Sequence, residues 1–127
     1  MIEKVSTINA APPGGHYSQA IRHGELVYLS GILPVTKESK HCDLENFAEQ
    51  AKQVLNNADA ILSAAGCSPN NVIKSTVYIT DISQWPIFDK IYAEFFGDHR
   101  PARCVVPVPQ LHHGFSVEVE MIAAIND

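Results

Sequence analysis

The sequence predicts an α+β fold, in which two helices cover one face of a single mixed β-sheet as a two-layer sandwich. Three patterns predict it: a long apolar–polar alternation near the C-terminal end, two segments with apolar residues every three or four positions, and short apolar runs that end at Gly-containing turns. With 127 residues and 46% hydrophobic composition, the chain fits one domain, residues 1–127, that can bury a substantial core.

The alternation belongs to the last strand. From Phe115 to Ile125 every second residue is apolar, while Ser116, Glu118 and Glu120 occupy the opposite face. A period of two over this length is typical of a strand with one buried face.

The stretch 102–108 also has an extended pattern, and Arg103 is its single charge. A cation in an apolar run must be paired or must hold an anion. If this stretch and the last strand form a simple hairpin, Arg103 lies near Glu120 and within reach of Glu118. The connection Pro109 to Gly114 is too long to fix this register, and other strands could intervene. The pattern therefore predicts either an internal Arg–Glu ion pair or a guanidinium that binds a carboxylate ligand beside an acid that holds water.

A hairpin is predicted in the N-terminal half. Tyr17–Arg22 and Glu25–Gly31 are extended segments that flank His23-Gly24, a pair suited to a two-residue turn. This register places Tyr17 opposite Ser30, so that a phenol and a hydroxyl would form a small polar patch. A tyrosine that only caps the sheet is the alternative.

The remaining elements are two further strands and two amphipathic helices. Ile2–Ser6 is predicted as an edge strand, and Asn71–Thr80 as a strand with Ile73 and Val77 on its apolar face. The helix ends are marked by residues with capping preferences, Asp43 and Gly66 for the first helix and Ser83 and Gly97 for the second. In the predicted strand, residues 26–29 are apolar on both faces of the sheet. This suggests self-association through the sheet face that carries no helices.

Composition argues against several classes of function. Nine basic against fourteen acidic residues give a net charge of -5, the wrong sign for a nucleic-acid partner. Since no apolar run of about 18 residues and no signal-like N-terminus is present, we expect no membrane partner and a cytoplasmic protein.

The three cysteines are expected to be reduced, with Cys104 most simply a small buried hydrophobe. His112 and His113 would point to opposite sides of an extended chain, so no metal site is predicted.

Several motifs together resemble the Rid (reactive intermediate deaminase) or YjgF family. They are Pro101-Ala-Arg-Cys104, Val117-Glu-Val-Glu120, Leu29-Ser-Gly-Ile-Leu-Pro34 and Tyr92-Ala-Glu-Phe-Phe96. The resemblance implies a chorismate-mutase-like homotrimer with ligand clefts between subunits. It also implies hydrolysis of short 2-imino acids or their enamines, such as 2-iminopropanoate and 2-iminobutanoate, to 2-keto acids and ammonia without a cofactor.

The resemblance also implies roles for individual residues. Arg103 would bind the substrate carboxylate, Glu118 would hold the attacking water, and Tyr17 would relay protons. The backbone around Gly31 and Cys104 would line the site, with Ser30 and Tyr17 closing it. Because a nearby Arg103 would lower the pKa of Glu118, water positioning is expected rather than full general-base catalysis.

Four positions depart from the family pattern, namely Ile32, Asp89, Val105 and His112. They leave the substrate range open. A non-catalytic regulator that binds a keto acid or a protein in the same cleft is the alternative function. The ribonuclease activity ascribed to some relatives is disfavoured by the acidic net charge.

Overall fold

The structure, a computed structural model, describes residues 1–125 and confirms the predicted α+β fold. Within that range, two α-helices pack on one face of a six-stranded mixed sheet. The elements in chain order are β1 (Ile2–Val5), β2 (Ala20–His23), β3 (Leu26–Leu29), α1 (Phe47–Ala64), β4 (Val72–Ile79), α2 (Trp85–Phe96), β5 (Ala102–Pro107) and β6 (Val117–Ala124). No helix in residues 1–125 combines the length and the apolar character needed to cross a bilayer.

The order of the strands is β1-β2-β3-β6-β4-β5, and all neighbours are antiparallel except the parallel pair β4 and β5. The simple hairpin of β5 and β6 does not form, and the alternative, that another strand intervenes, is the one observed. Helix α2 provides the crossover that returns the chain to the far side of β4, so β4 separates the two strands. Arg103 lies opposite Ser75 of β4, whereas Glu120 lies opposite Thr76, and these two register positions face opposite sides of the sheet.

The β2–β3 hairpin forms in a register two residues from the predicted one. His23 pairs with Leu26, and the turn is Gly24-Glu25 rather than His23-Gly24. Gly24 has a φ of +63°, and glycine at the first central position is what a type II′ turn favours. The predicted pairing of Tyr17 with Ser30 is consequently wrong.

Helix α1 begins later than predicted. Asn46 is its N-cap, since its side-chain oxygen accepts the N–H of Glu49 at 3.0 Å. Asp43 instead accepts the N–H of Glu45 at 2.9 Å in the turn before the helix. Gly66 follows the last turn with a φ of +81°, as its predicted C-terminal role requires.

A single 3₁₀ turn leads into helix α2. The carboxylate of Asp81 accepts the backbone N–H of Ser83 at 3.0 Å and its hydroxyl at 2.7 Å. Asp81 therefore caps the 3₁₀ turn, whereas helix α2 begins after Gln84, whose side chain makes no capping hydrogen bond. The prediction of Ser83 as the cap of this helix is wrong. Gly97, with a φ of +64°, ends the helix as predicted.

The sheet face toward the helices forms the core. Val27, Val77 and Val119 are fully buried there against the helices. A bulge in β4 between Val72 and Lys74 turns Ile73 outward, so the prediction that Ile73 faces the core is wrong. Downstream of the bulge, the hydroxyl-bearing Ser75 takes an inward position and is completely buried.

No helix within residues 1–125 covers the opposite sheet face, called here the open face. Its side chains include polar and apolar groups that are exposed or partly exposed, namely Tyr28, Thr76, Tyr78, Cys104, Glu118, Glu120 and Ile122. The two-sided apolar character predicted for β3 is present, because Val27 is buried while Tyr28 stays 44% exposed. The open face leaves apolar surface that a second subunit could cover.

Candidate active site

A cavity of about 250 Å³ opens at the end of β3. Its wall includes Tyr17, Ser30, Gly31 and Asn57, together with the ring of His113. The cavity is therefore built where three loops meet the sheet, a common location for ligand sites.

The loop that forms one wall is fixed by a buried amide. Gln19 accepts the N–H of Thr7 at 2.7 Å and donates to the carbonyls of Thr7 and Ala11, at 3.1 Å and 2.8 Å. Since Gln19 is only 5% exposed, these three bonds are shielded from water. They hold the chain before β2 against the sheet and so define the cavity wall.

The two predicted hydroxyl groups both line this cavity, although they are not a cross-strand pair. The hydroxyl of Ser30 donates to the carbonyl of Ser18 at 2.6 Å, which leaves its oxygen able to accept a further bond. The phenol oxygen of Tyr17 accepts the N–H of Gly14 at 3.1 Å, which leaves the phenol proton able to donate. One donor and one acceptor thus border the same space.

Glu118 lies directly beneath Gly31. A Cβ atom built on Gly31 would overlap one carboxylate oxygen of Glu118 and would lie 3.2 Å from its Cδ. Ile32 fixes this approach, because it exchanges two backbone hydrogen bonds with Val119, at 2.7 Å and 3.2 Å. A side chain at position 31 would therefore displace the Glu118 carboxylate from this position.

Burial raises the pKa of Glu118 above its ordinary value of 4.5, and the nearby His112 partly opposes this rise. Arg103, which was expected to lower this pKa, lies on the other side of the sheet. A carboxylate that is partly desolvated accepts a proton more readily than one in water. Glu118 is therefore suited to a general-base role more than the sequence suggested.

Arg103 projects to the helix side of edge strand β5. Its Nη1 donates to Oδ1 of Asp89 at 3.0 Å. The guanidinium lies 4.7 Å from the ring centroid of Trp85 and 5.3 Å from that of Tyr92, within the range of cation–π attraction. The predicted Arg103–Glu120 pair is absent from the described chain; the phenol of Tyr78 donates to Glu120 at 2.5 Å instead.

Within one chain, the structure brings together only part of the predicted site. Tyr17, Ser30 and Gly31 line the cavity, and Glu118 adjoins Gly31 from the open face. Arg103 lies on the opposite sheet face from Glu118. The carboxylate-binding and water-activating groups are thus separate in a single subunit.

Cys104 is exposed on β5, so its prediction as a buried hydrophobe is wrong. Its side chain points to the open face of an edge strand, where no second layer covers it. Cys42 and Cys67 are the buried thiols, and all three cysteines are free.

Sequence reasoning missed Asp89 as the partner of Arg103. Trp85, Asp89 and Tyr92 are spaced by four and three residues along α2, so they share one helix face. That spacing could have indicated that Asp89 lies beside the aromatic residues, but the pattern was interpreted only as a buried aromatic stripe.

His41 was also missed. The centroid of its ring lies 4.6 Å from that of His113, and both residues line the cavity.

Comparison with known proteins places these features in a family. The sequence model of the family described as Endoribonuclease L-PSP matches residues 7–125. A RutC family protein of Pyrococcus horikoshii is 41% identical over 97% of this chain and 98% of its own length. The mouse 2-iminobutanoate/2-iminopropanoate deaminase is 38% identical over 97% of this chain and 92% of its own length.

Solved structures give the same result. A Rid family protein of unknown function from Yersinia pestis superposes with a TM-score of 0.94 at 35% identity, covering 98% of this chain and 99% of that one. Escherichia coli TdcF with bound serine superposes with a TM-score of 0.91 at 32% identity, covering 96% of this chain and 98% of that one. The similarity extends over nearly the whole of each chain.

Proposed function

Since this chain belongs to the Endoribonuclease L-PSP family, which includes the Rid proteins, we propose that it is a hydrolytic deaminase of short 2-imino acids and their enamines. The products are 2-keto acids and ammonia. One observation carries the proposal: the partly buried Glu118 carboxylate, with its raised pKa, lies against Gly31, and Gly31 lines a cavity together with two hydroxyl groups. The relatives named as deaminases support the choice of substrate.

The reaction needs one water and no external reagent. Glu118 accepts a proton from water as the oxygen attacks the iminium carbon, which gives a tetrahedral carbinolamine. The proton is then returned to nitrogen, the C–N bond breaks, ammonia leaves, and the hydroxyl loses its proton to become the keto oxygen. The iminium carbon is already electrophilic, so orientation of substrate and water contributes most of the acceleration.

The proposal assigns Arg103 to the substrate carboxylate, because a planar guanidinium can meet it with two hydrogen bonds. Arg103 and Glu118 face opposite sides of the sheet in one chain. We therefore propose a homotrimer in which Arg103 of one subunit and Glu118 of another border the same cleft. The half-exposed apolar residues of the open face support such an assembly.

The other predicted residues take supporting roles. The phenol of Tyr17 donates its proton to the substrate or to the leaving nitrogen. The hydroxyl oxygen of Ser30 accepts a hydrogen bond from the substrate. The backbone near Gly31 and Cys104 lines the cleft. No cofactor is part of the proposal, and the cytoplasmic location stays a prediction.

The test is imine hydrolysis with 2-iminopropanoate and 2-iminobutanoate generated in situ by an amino-acid oxidase. Ammonia release is measured for the wild type, Arg103→Ala and Glu118→Gln, with Arg100→Ala as the control for loss of an exposed arginine. We expect acceleration by the wild type and Arg100→Ala, and a loss of about 10- to 100-fold in kcat/KM for Arg103→Ala.

No acceleration by the folded wild-type protein with either imine would refute the deaminase proposal. If the protein then still bound 2-oxobutanoate in an Arg103-dependent manner, a non-catalytic keto-acid-binding regulator would replace it. Cleavage of RNA that Glu118→Gln abolishes would instead favour an endoribonuclease, the activity after which the family is described.

A further inference from the structure

The guanidinium that would receive a substrate carboxylate already has a carboxylate beside it. Asp89 accepts from Nη1 of Arg103 at 3.0 Å, and the side chains of the two residues are 52% and 33% exposed, respectively. Such a pair is accessible to a ligand and is not part of the core. The cation and the anion therefore form one surface that a small molecule can contact.

The pair is held in place from below. Trp85 and Tyr92 lie under the guanidinium on the same helix face as Asp89. Tyr92 is only 6% exposed, so this support is rigid. Asp89 uses Oδ1 for Arg103, and a carboxylate has capacity for further hydrogen bonds at its second oxygen.

We propose that Arg103 and Asp89 together select ligands in which a positively charged nitrogen is adjacent to a carboxylate. Arg103 binds the carboxylate, and Asp89 accepts a hydrogen bond from the protonated nitrogen. This inference rests on the proposed function and extends it, since the protonated form of a 2-imino acid is such a zwitterion. Asp89 is then a residue that determines specificity.

Charge complementarity supports this choice of ligand. The Arg103–Asp89 surface is neutral overall and has separated charges, which matches a zwitterion. A simple anion would gain from Arg103 but would be repelled by Asp89 a few ångströms away. Asp89 also favours the iminium form over the neutral imine, and the iminium is the form that water attacks more readily.

The test compares two ligands that differ at one group. L-Alanine carries an ammonium where L-lactate carries a hydroxyl, and neither is turned over by imine hydrolysis. Dissociation constants are measured by calorimetry for the wild type, Asp89→Asn, Asp89→Glu and Glu94→Gln. Glu94 is exposed on the same helix, so its variant controls for loss of one negative charge.

We expect the wild type, Asp89→Glu and Glu94→Gln to prefer L-alanine. In Asp89→Asn the ratio of the two dissociation constants should shift toward L-lactate by up to about fivefold, which is the range of one exposed charge interaction. The ratio reports only the lost contact between Asp89 and the ammonium, because the repulsion between Asp89 and the carboxylate is common to both ligands. If Asp89→Asn leaves the ratio unchanged, the inference is wrong; equal weakening of both ligands would then mean that Asp89 only positions Arg103.

Arg103→Ala separates this inference from the proposed function. Loss of binding of both ligands in Arg103→Ala, with an unchanged ratio in Asp89→Asn, would refute only the zwitterion inference. Unchanged binding of both ligands in Arg103→Ala would refute the carboxylate site itself and with it the proposal for Asp89.

Discussion

Gly31→Ala is the substitution that tests the placement of Glu118 most sharply. Gly31 does not adopt a left-handed backbone conformation, so alanine fits its backbone without strain. The added Cβ would overlap a Glu118 carboxylate oxygen and lie 3.2 Å from Cδ. The Glu118 side chain must therefore move while the backbone stays in place.

The expected effect on stability is small and the effect on activity is large. An off-rotamer Glu118 costs about 0.5 to 1.5 kcal/mol, and replacing Gly by Ala at a compatible position stabilises by about 0.4 to 1 kcal/mol. The two effects nearly cancel in the free energy of unfolding. A displacement of about 1 Å at a reacting group, however, costs on the order of 100-fold in rate.

The assay measures kcat for 2-iminobutanoate hydrolysis and urea unfolding for Gly31→Ala, with Gly24→Ala as the control. Gly24 lies in the turn between β2 and β3, outside the cavity lining, and has a φ of +63°, so that variant should lose stability and keep its kcat. Wild-type kcat in Gly31→Ala would refute the reasoning. So would an equal loss in a Glu118→Gln background, because the effect would then not pass through Glu118.

Three further predictions follow from the same contacts. The pKa of Glu118 is raised in the folded state, so its ionised form destabilises the fold. At pH 7 the urea concentration at the unfolding midpoint should therefore be higher for Glu118→Gln than for the wild type. This difference should vanish as the pH falls below 4.5, the ordinary pKa of the group. Asn57→Ala should lower the free energy of unfolding by about 2 kcal/mol, since buried Asn57 donates to the carbonyl of Val35 at 2.8 Å; the exposed neighbour variant Asn56→Ala should change it by less than about 0.5 kcal/mol. Arg103→Lys should hydrolyse 2-iminobutanoate much more slowly than the wild type, because an ammonium cannot form the paired hydrogen bonds of a guanidinium. A kcat/KM near that of the wild type would contradict a bidentate carboxylate contact.

Local patterns predicted the elements of this fold well. The alternation around β6 and the apolar spacing of both helices are properties of the segments themselves, so they survive folding. The C-terminal glycines of both helices were also identified, because Gly66 and Gly97 are needed for their backbone conformations. The N-terminal caps were missed, since several polar residues near each start could accept the same bond.

Relations between distant segments were not predictable in the same way. The position of β4 between β5 and β6 depends on the path of the chain through α2, which no residue of β5 or β6 encodes. The bulge that turns Ile73 outward is a local irregularity without a glycine to mark it. Both effects change which side chains meet.

The candidate site shows the consequence. The residues named from family resemblance include the groups at the cavity, but the expected Arg103–Glu120 neighbourhood came from a hairpin that does not form. Asp89 lies beside Arg103 because β5 runs along α2, a tertiary relation that the helix spacing alone did not reveal.

Subunit complementation tests the central proposal, that one site combines Arg103 and Glu118 from different subunits. Arg103→Ala and Glu118→Gln chains are unfolded together, refolded as an equal mixture and assayed for 2-iminobutanoate hydrolysis. If subunits mix at random, about a quarter of the clefts pair an intact Arg103 with an intact Glu118. We predict about a quarter of the wild-type rate from two nearly inactive parents; no recovery in a mixture shown to contain hybrid oligomers would contradict the account.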